Sequence, residues 1–237
     1  MSSRKHTRFV IGGVAAIAIA GGSYGVVSSS SGSGSSSGSG ASTASSDVTA
    51  YLRSASGSNG RSGPEPGGTA GTVSGTSRSG FTVTTAGSVK VTIKETSSTK
   101  YQKRSRRVSA WAVTKGQPVL VLGTTDNKTI TATRVILHPP VSNASTASEV
   151  IFYKKGTSGS TKKVGQIPAD YTQGQGTIAT GTVADKATEA ALTAYPGGII
   201  DRVVKLSNGD YEVHNIGVNW PHHVFVNRHF TIIGAND

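Results

Sequence analysis

Cysteine is missing from all 237 residues, which excludes a disulfide framework and thiolate chemistry. Carboxylates are scarce as well. Twelve Asp and Glu face 24 Lys and Arg, for a formal charge of +12, so hydrolase mechanisms built on paired acids, or on a His-Glu-x-x-His metal site, have nothing to attach to. No Gly-x-Ser-x-Gly elbow accompanies a strand-to-helix signal, and serine is abundant enough to explain partial matches by composition. Large apolar residues are thin: 35% of the chain is hydrophobic and 6% aromatic. The foldable part is therefore smaller than the length suggests, with two modules of about 60 to 75 residues as the limit. The chain is expected not to be an enzyme, and no cofactor or metal is expected.

What is present begins with an address. Arg4, Lys5 and Arg8 precede an apolar run from Phe9 to Val27, the layout of an export signal with a positive n-region. Residues 1–27 are expected to be a signal peptide cut after Ala18-Ile19-Ala20, or an uncleaved transmembrane anchor, since the run is just long enough to span a bilayer. Residues 28–68 are almost all Ser, Gly, Ala and Thr. Such a segment cannot offset its ordering entropy and is expected to be a disordered linker. Location follows as extracytoplasmic, either anchored to the plasma membrane or secreted.

Residues 69–140 read as short strands at Gly71–Val73, Phe81–Val83, Val89–Ile93, Val108–Ala112, Val119–Val121 and Ile130–Ala132 taken together with Val135–Leu137, separated by Gly and Asn turns. Five or six strands without a helix suggest a small barrel. The Gly71-Thr72-Val73, Phe81-Thr82-Val83, Lys115 to Gly123 and Thr131 to Val135 runs resemble an uncharacterised bacterial OB-like β-barrel family. Residues 141–176 are a linker with one candidate hairpin across Gly156 to Gly159.

In residues 177–237 the pattern changes. Val183, Ala187, Ala190, Ala191 and Ala194 form one apolar stripe at helical period, with Thr182 placed to cap and Pro196-Gly197-Gly198 to stop, predicting a helix over 183–195. Ser207-Asn208-Gly209-Asp210 between alternating Ile200–Leu206 and Tyr211–Asn215 predicts a hairpin. Gly217 is expected as a bulge before Val218 and Trp220, and Val224 to Ile232 as a final strand pair or one bent strand. The Gly181 to Leu192 run, Tyr195-Pro196-Gly197-Gly198, Gly209 to Val213, and Phe225-Val226-Asn227 with Phe230-Thr231-Ile232 resemble a PepSY-like domain of exported actinobacterial proteins. The resemblance implies a non-catalytic helix-on-antiparallel-sheet module that binds or inhibits peptidases. The expected fold class is thus an all-β barrel followed by an α+β unit.

Two clusters are candidate sites. Lys103, Arg104, Arg106 and Arg107 lie with Tyr101 between the third and fourth strands, as a basic loop for an anionic surface. A solvated loop is the plainer reading, and nucleic acid is not an expected partner for an exported chain. His214, His222, His223 and His229 fall within sixteen residues, beside Trp220 and Asp210. They read as strand-surface histidines, as a recognition patch with Trp220 for a protein partner, or as ligands for zinc or copper. Alternation puts His222 and His223 on opposite faces, so that at most one joins His214. The function expected is binding at the cell envelope, to a protein such as a peptidase or to an anionic polymer. The alternatives are an envelope hydrolase with an unrecognised site and a structural spacer.

Overall fold

A computed structural model describes residues 63–139, 150–154 and 160–237. The expected export segment, the expected spacer up to residue 62 and the candidate turn at 156–159 lie outside the described residues.

The first half is a ring of five strands. Strand β1 (Glu65–Thr76) pairs with β2 (Gly80–Thr84), and β2 pairs with β3 (Lys90–Lys94). A hairpin follows, β4 (Lys100–Lys103) and β5 (Arg106–Val108), then one 3-10 turn at Ala110–Ala112. Strands β6 (Pro118–Asp126) and β7 (Thr129–Leu137) close the barrel: β7 runs parallel to β3, and β6 lies between β7 and β1. Inside, Val73, Phe81, Val83, Val91, Ile93, Val119, Val121, Ile130, Val135 and Leu137 are all buried.

Short pieces follow, β8 (Ile151–Phe152), β9 (Val164–Gly165) and β10 (Thr177–Ile178). Helix α1 (Gly181–Ala194) precedes β11 (Ile199–Lys205), β12 (Tyr211–Ile216), β13 (Val218–Trp220), β14 (His223–Val226) and β15 (Ile232–Asn236). The antiparallel order β11-β12-β14-β15-β9 forms a second sheet under the helix. The Asn-Gly turn joins β11 to β12 as expected, with Gly209 at φ 88°. Gly217, at φ 82°, does more than bulge the strand, because β13 leaves this sheet to pair with β8.

Two expectations about boundaries are corrected. The spacer does not reach Gly68, because β1 starts at Glu65 and its first half is paired on both edges. Gly68 and Thr69 face Leu122 and Val121 of β6 on one side, and Ile200 and Ile199 of β11 on the other. Pro-Gly-Gly reads as linker in isolation, but here the missing side chains admit neighbours: a Cβ on Gly67 would overlap the Ile200 carbonyl, and one on Gly68 the Val121 carbonyl. The barrel and the helix-covered sheet, expected as modules on linkers, are thus hydrogen-bonded through one strand. The described parts of 141–176 are stitched down as well, β8 to β13 and β9 to β15.

The helix starts two residues before the expected 183, with Thr180 rather than Thr182 at the N-cap position. Its buried stripe is Ala184, Ala187, Thr188, Ala191 and Leu192, while Val183 is 37% exposed. Leu192 and the following Tyr195 are the large anchors, and they turn the helix so that Val183 faces out. The alanines let it lie close over both halves: Leu120, Leu122 and Ile136, on the outside of the barrel, share a core with Ile200, Val203, Val213 and Val224. That explains the unbroken Val119-Leu120-Val121-Leu122 run, since both faces of β6 are buried.

Leu192→Ala is expected to destabilise the fold by about 2–5 kcal/mol and Val183→Ala by less than about 0.5 kcal/mol. Urea denaturation of both variants checks the ordering, which the stripe read from the sequence would reverse.

Candidate functional site

The basic segment is a hairpin, not a loop. Tyr101, Gln102 and Lys103 of β4 pair with Val108, Arg107 and Arg106 of β5, leaving Arg104 and Ser105 at the turn. Arg104 takes the left-handed conformation, φ 54°, that tightens it. The base is fixed from below. Strand β4 runs parallel to β7, Thr99 Oγ1 donates to the Ala132 carbonyl at 2.7 Å, and the Tyr101 hydroxyl donates to Glu95 Oε1 at 2.7 Å. Burial, with Glu95 as its neighbour, pushes the Tyr101 hydroxyl pKa up. Tyr101 is therefore a half-buried strut, not a ring open for stacking.

Strand β5 is the terminal strand of the sheet order, and Lys103, Arg104, Arg106 and Arg107 are all exposed on it or beside it. Charges on an edge strand also block pairing with another chain, so exposure by itself does not assign a ligand. The distribution of charge adds more. Residues 63–139 carry eleven Lys and Arg against three Asp and Glu, whereas residues 160–237 carry six against seven. Arg134 belongs to the other side, held by helix α1 through Glu189 at 3.2 Å and Asp185 at 3.9 Å.

One residue escaped the sequence reading. Trp111, in the 3-10 turn directly after β5, is 77% exposed. Its signal was available: a tryptophan between two alanines, four residues after an arginine pair, on a segment read as an alternating strand.

The histidine cluster is built differently from the expected surface patch. Trp220 is 0% exposed, its ring edge-on to Tyr195 with centroids 5.5 Å apart. Its indole Nε1 donates to the Lys162 carbonyl at 2.7 Å, and the Lys162 ammonium sits 4.4 Å from the ring centroid. It is a core residue and cannot centre an exposed patch. His214 and His223 are direct partners across β12 and β14, with ring centroids 5.2 Å apart, and both are buried. Each has its own carboxylate: His214 Nδ1 lies 2.6 Å from Asp201 Oδ1, and His223 Nδ1 lies 2.7 Å from Glu212 Oε1. Tyr171 adds its hydroxyl 3.2 Å from His223 Nδ1 and packs edge-on against Phe225.

His222 also joins, its ring 6.4 Å from His214. Strand alternation does not separate it from His223, because it sits in the turn before β14. There its backbone bonds Asn215 and Asn236, and its Nε2 lies 2.8 Å from the Val218 carbonyl. Asp201 comes from the bulge between Ile200 and Arg202, which turns its carboxylate to His214. Arg202, opposite His214, is buried with its terminal nitrogens lacking hydrogen-bond partners. Among the described residues no three His, Asp or Glu are arranged to hold a metal ion. The arrangement is a buried polar layer on the sheet face away from the helix.

The fold defines a mostly β protein: a five-stranded barrel sharing one strand with a helix-covered antiparallel sheet. No protein-family model, curated protein or solved structure matches the chain.

Burial holds the His214 imidazole below its ordinary 6.5, against the opposing pull of Asp201 and with Arg202 and His223 adding to the depression. A depressed folded value means that this stability is fully present above about 6.5 and is lost as pH falls through that value towards the folded pKa. The urea midpoint is therefore expected to drop between about pH 7.5 and 5, and to drop less in His214→Gln. An identical slope in that variant would show that His214 does not contribute to the pH dependence.

Proposed function

We propose that the chain is an exported, membrane-tethered, non-catalytic binding protein of the cell envelope, which holds anionic envelope material through the β4–β5 hairpin. The observation that carries this reading is the segregation of charge. Five exposed cations, Lys100, Lys103, Arg104, Arg106 and Arg107, lie on one hairpin of a barrel half with a large basic excess, while the helix-covered half is close to neutral. Cations gathered on one projecting element gain from release of a polyanion's counterions, and the gain is steeply salt-dependent.

The finer family readings fit this function. A ring in the order β1-β2-β3-β7-β6, closed between β6 and β1 and parallel only between β3 and β7, supports the OB-like reading of the barrel. A single helix laid on an antiparallel meander supports the PepSY-like reading of the second half. The peptidase partner implied by the latter gains nothing specific from the geometry, since Trp220, His214 and His223 are buried. The anionic partner is the better supported of the two. Export and tethering rest on the basic n-region and the apolar run of residues 1–27.

Retention on immobilised polyphosphate tests the reading. The wild-type chain is expected to elute with added salt. The variant K103Q/R104Q/R106Q/R107Q should bind at least about tenfold more weakly, with a log–log salt slope shallower by about 3. Equal, salt-independent retention of the two proteins would reject the electrostatic role.

A further inference from the structure

Trp111 is the largest exposed apolar side chain among the described residues, at 77%, and it follows Arg107, the last of the exposed cations of β5, by four residues. Its direction is imposed by the chain on either side. Val108 packs against the barrel core before it, and Ala112 and the buried Val113 do so after it. Two backbone bonds, Ala112 N to the Ser109 carbonyl and Val113 N to the Ala110 carbonyl, both 3.0 Å, lock the intervening turn. With Val108 and Val113 on the barrel core at either end of the segment, the indole at the crest is left facing solvent. The turn itself buries none of its three residues.

An indole that is 77% exposed suits a surface that is half apolar and half charged. Tryptophan settles at the headgroup level of a bilayer, where its apolar body and its N–H are both accommodated. Lys and Arg around it gain from anionic headgroups within a Debye length of the surface. We propose that Trp111 and the β4–β5 hairpin together form a bilayer-interface anchor, which docks the barrel end of the folded unit onto an anionic lipid surface. The proposal deepens the envelope-binding reading and rests on it, naming the anionic lipid headgroup as the material bound.

A linear polyanion fits less well. Sequence-tolerant grip on a strand needs a groove with successive aromatic platforms. Here the one other ring of the hairpin, Tyr101, is half-buried and tied to Glu95, and Trp111 sits on a convex turn. One exposed indole following a hairpin of exposed cations gives a shallow, planar contact instead, of the kind that interfacial segments make. Arg134, the remaining cation on β7, is engaged by the helix and plays no part.

The chain contains two tryptophans, and Trp220 is wholly buried, so a change in tryptophan emission on meeting a membrane reports Trp111. The full chain is reconstituted in phosphatidylcholine vesicles with or without phosphatidylglycerol, both carrying bromine-labelled acyl chains. Residues 1–27 contain no tryptophan, so whatever they contribute to membrane attachment does not itself appear in the emission. The fall of the signal in the quadruple variant separates the hairpin's cations from Arg4, Lys5 and Arg8. Expected are a blue shift and bromine quenching of Trp111 in the anionic vesicles alone. Both should be lost in Trp111→Phe, and should be reduced at least about fivefold in K103Q/R104Q/R106Q/R107Q or at high salt, as screening of the headgroup attraction requires.

Trp111 remaining water-exposed in anionic vesicles would overturn the anchor. If soluble polyphosphate is then still bound through the same four cations, envelope binding survives and its partner is a polymer. If polyphosphate is not bound either, both readings fall together.

Discussion

The structure depends on one strand being hydrogen-bonded twice over. The first half of β1 carries the ladder to β6 that helps close the barrel, and the ladder to β11 that starts the second sheet. Only a strand with almost no side-chain bulk can do this beneath a helix, and Gly67 and Gly68 supply it. The alanine-rich face of α1 is the complementary device, since small side chains let one helix cover parts of both sheets. Thr188, buried in that face, sits directly over Gly68. From this close contact follow the continuous core between Leu122 and Val213 and the fixed setting of the barrel against the second sheet.

That setting divides the molecule chemically. At one end the hairpin, the turn at Trp111 and most of the positive charge lie on the barrel, on elements that contribute little to the shared core. At the other the sheet buries a polar layer in which each of two histidines has its own carboxylate, a pairing that offsets the cost of burying both groups. Such a layer specifies register: with His214 facing His223 across β12 and β14, a one-residue slip would send charged groups into the helix-side core. His214 and His223 are thus part of the buried architecture, and the exposed charge is concentrated at the barrel end.

How legible this was in the sequence differs by element. The Asn-Gly hairpin, the helix with its Pro-Gly-Gly stop and most barrel strands are local signals, and they were readable because local geometry decides them. The start of β1 was not, because Pro66-Gly67-Gly68 has strand character only through neighbours far along the chain. The helix face was misplaced by a turn's fraction: alanines are nearly neutral as to which side is buried, and Leu192 and Tyr195 settle it through packing. The histidines read as surface groups since alternation alone does not reveal that a second layer, with Tyr171, covers the outer face. Trp111 was passed over because it was read within a strand, where an exposed aromatic is unremarkable.

If β1 joins the two halves as its two ladders indicate, they unfold as one cooperative structure. Differential scanning calorimetry of the full chain tests it most directly. A single transition whose calorimetric and van't Hoff enthalpies agree is the predicted result. Two resolved transitions, one of them unchanged when Gly68 is replaced by valine, would contradict it and return the chain to two independent modules.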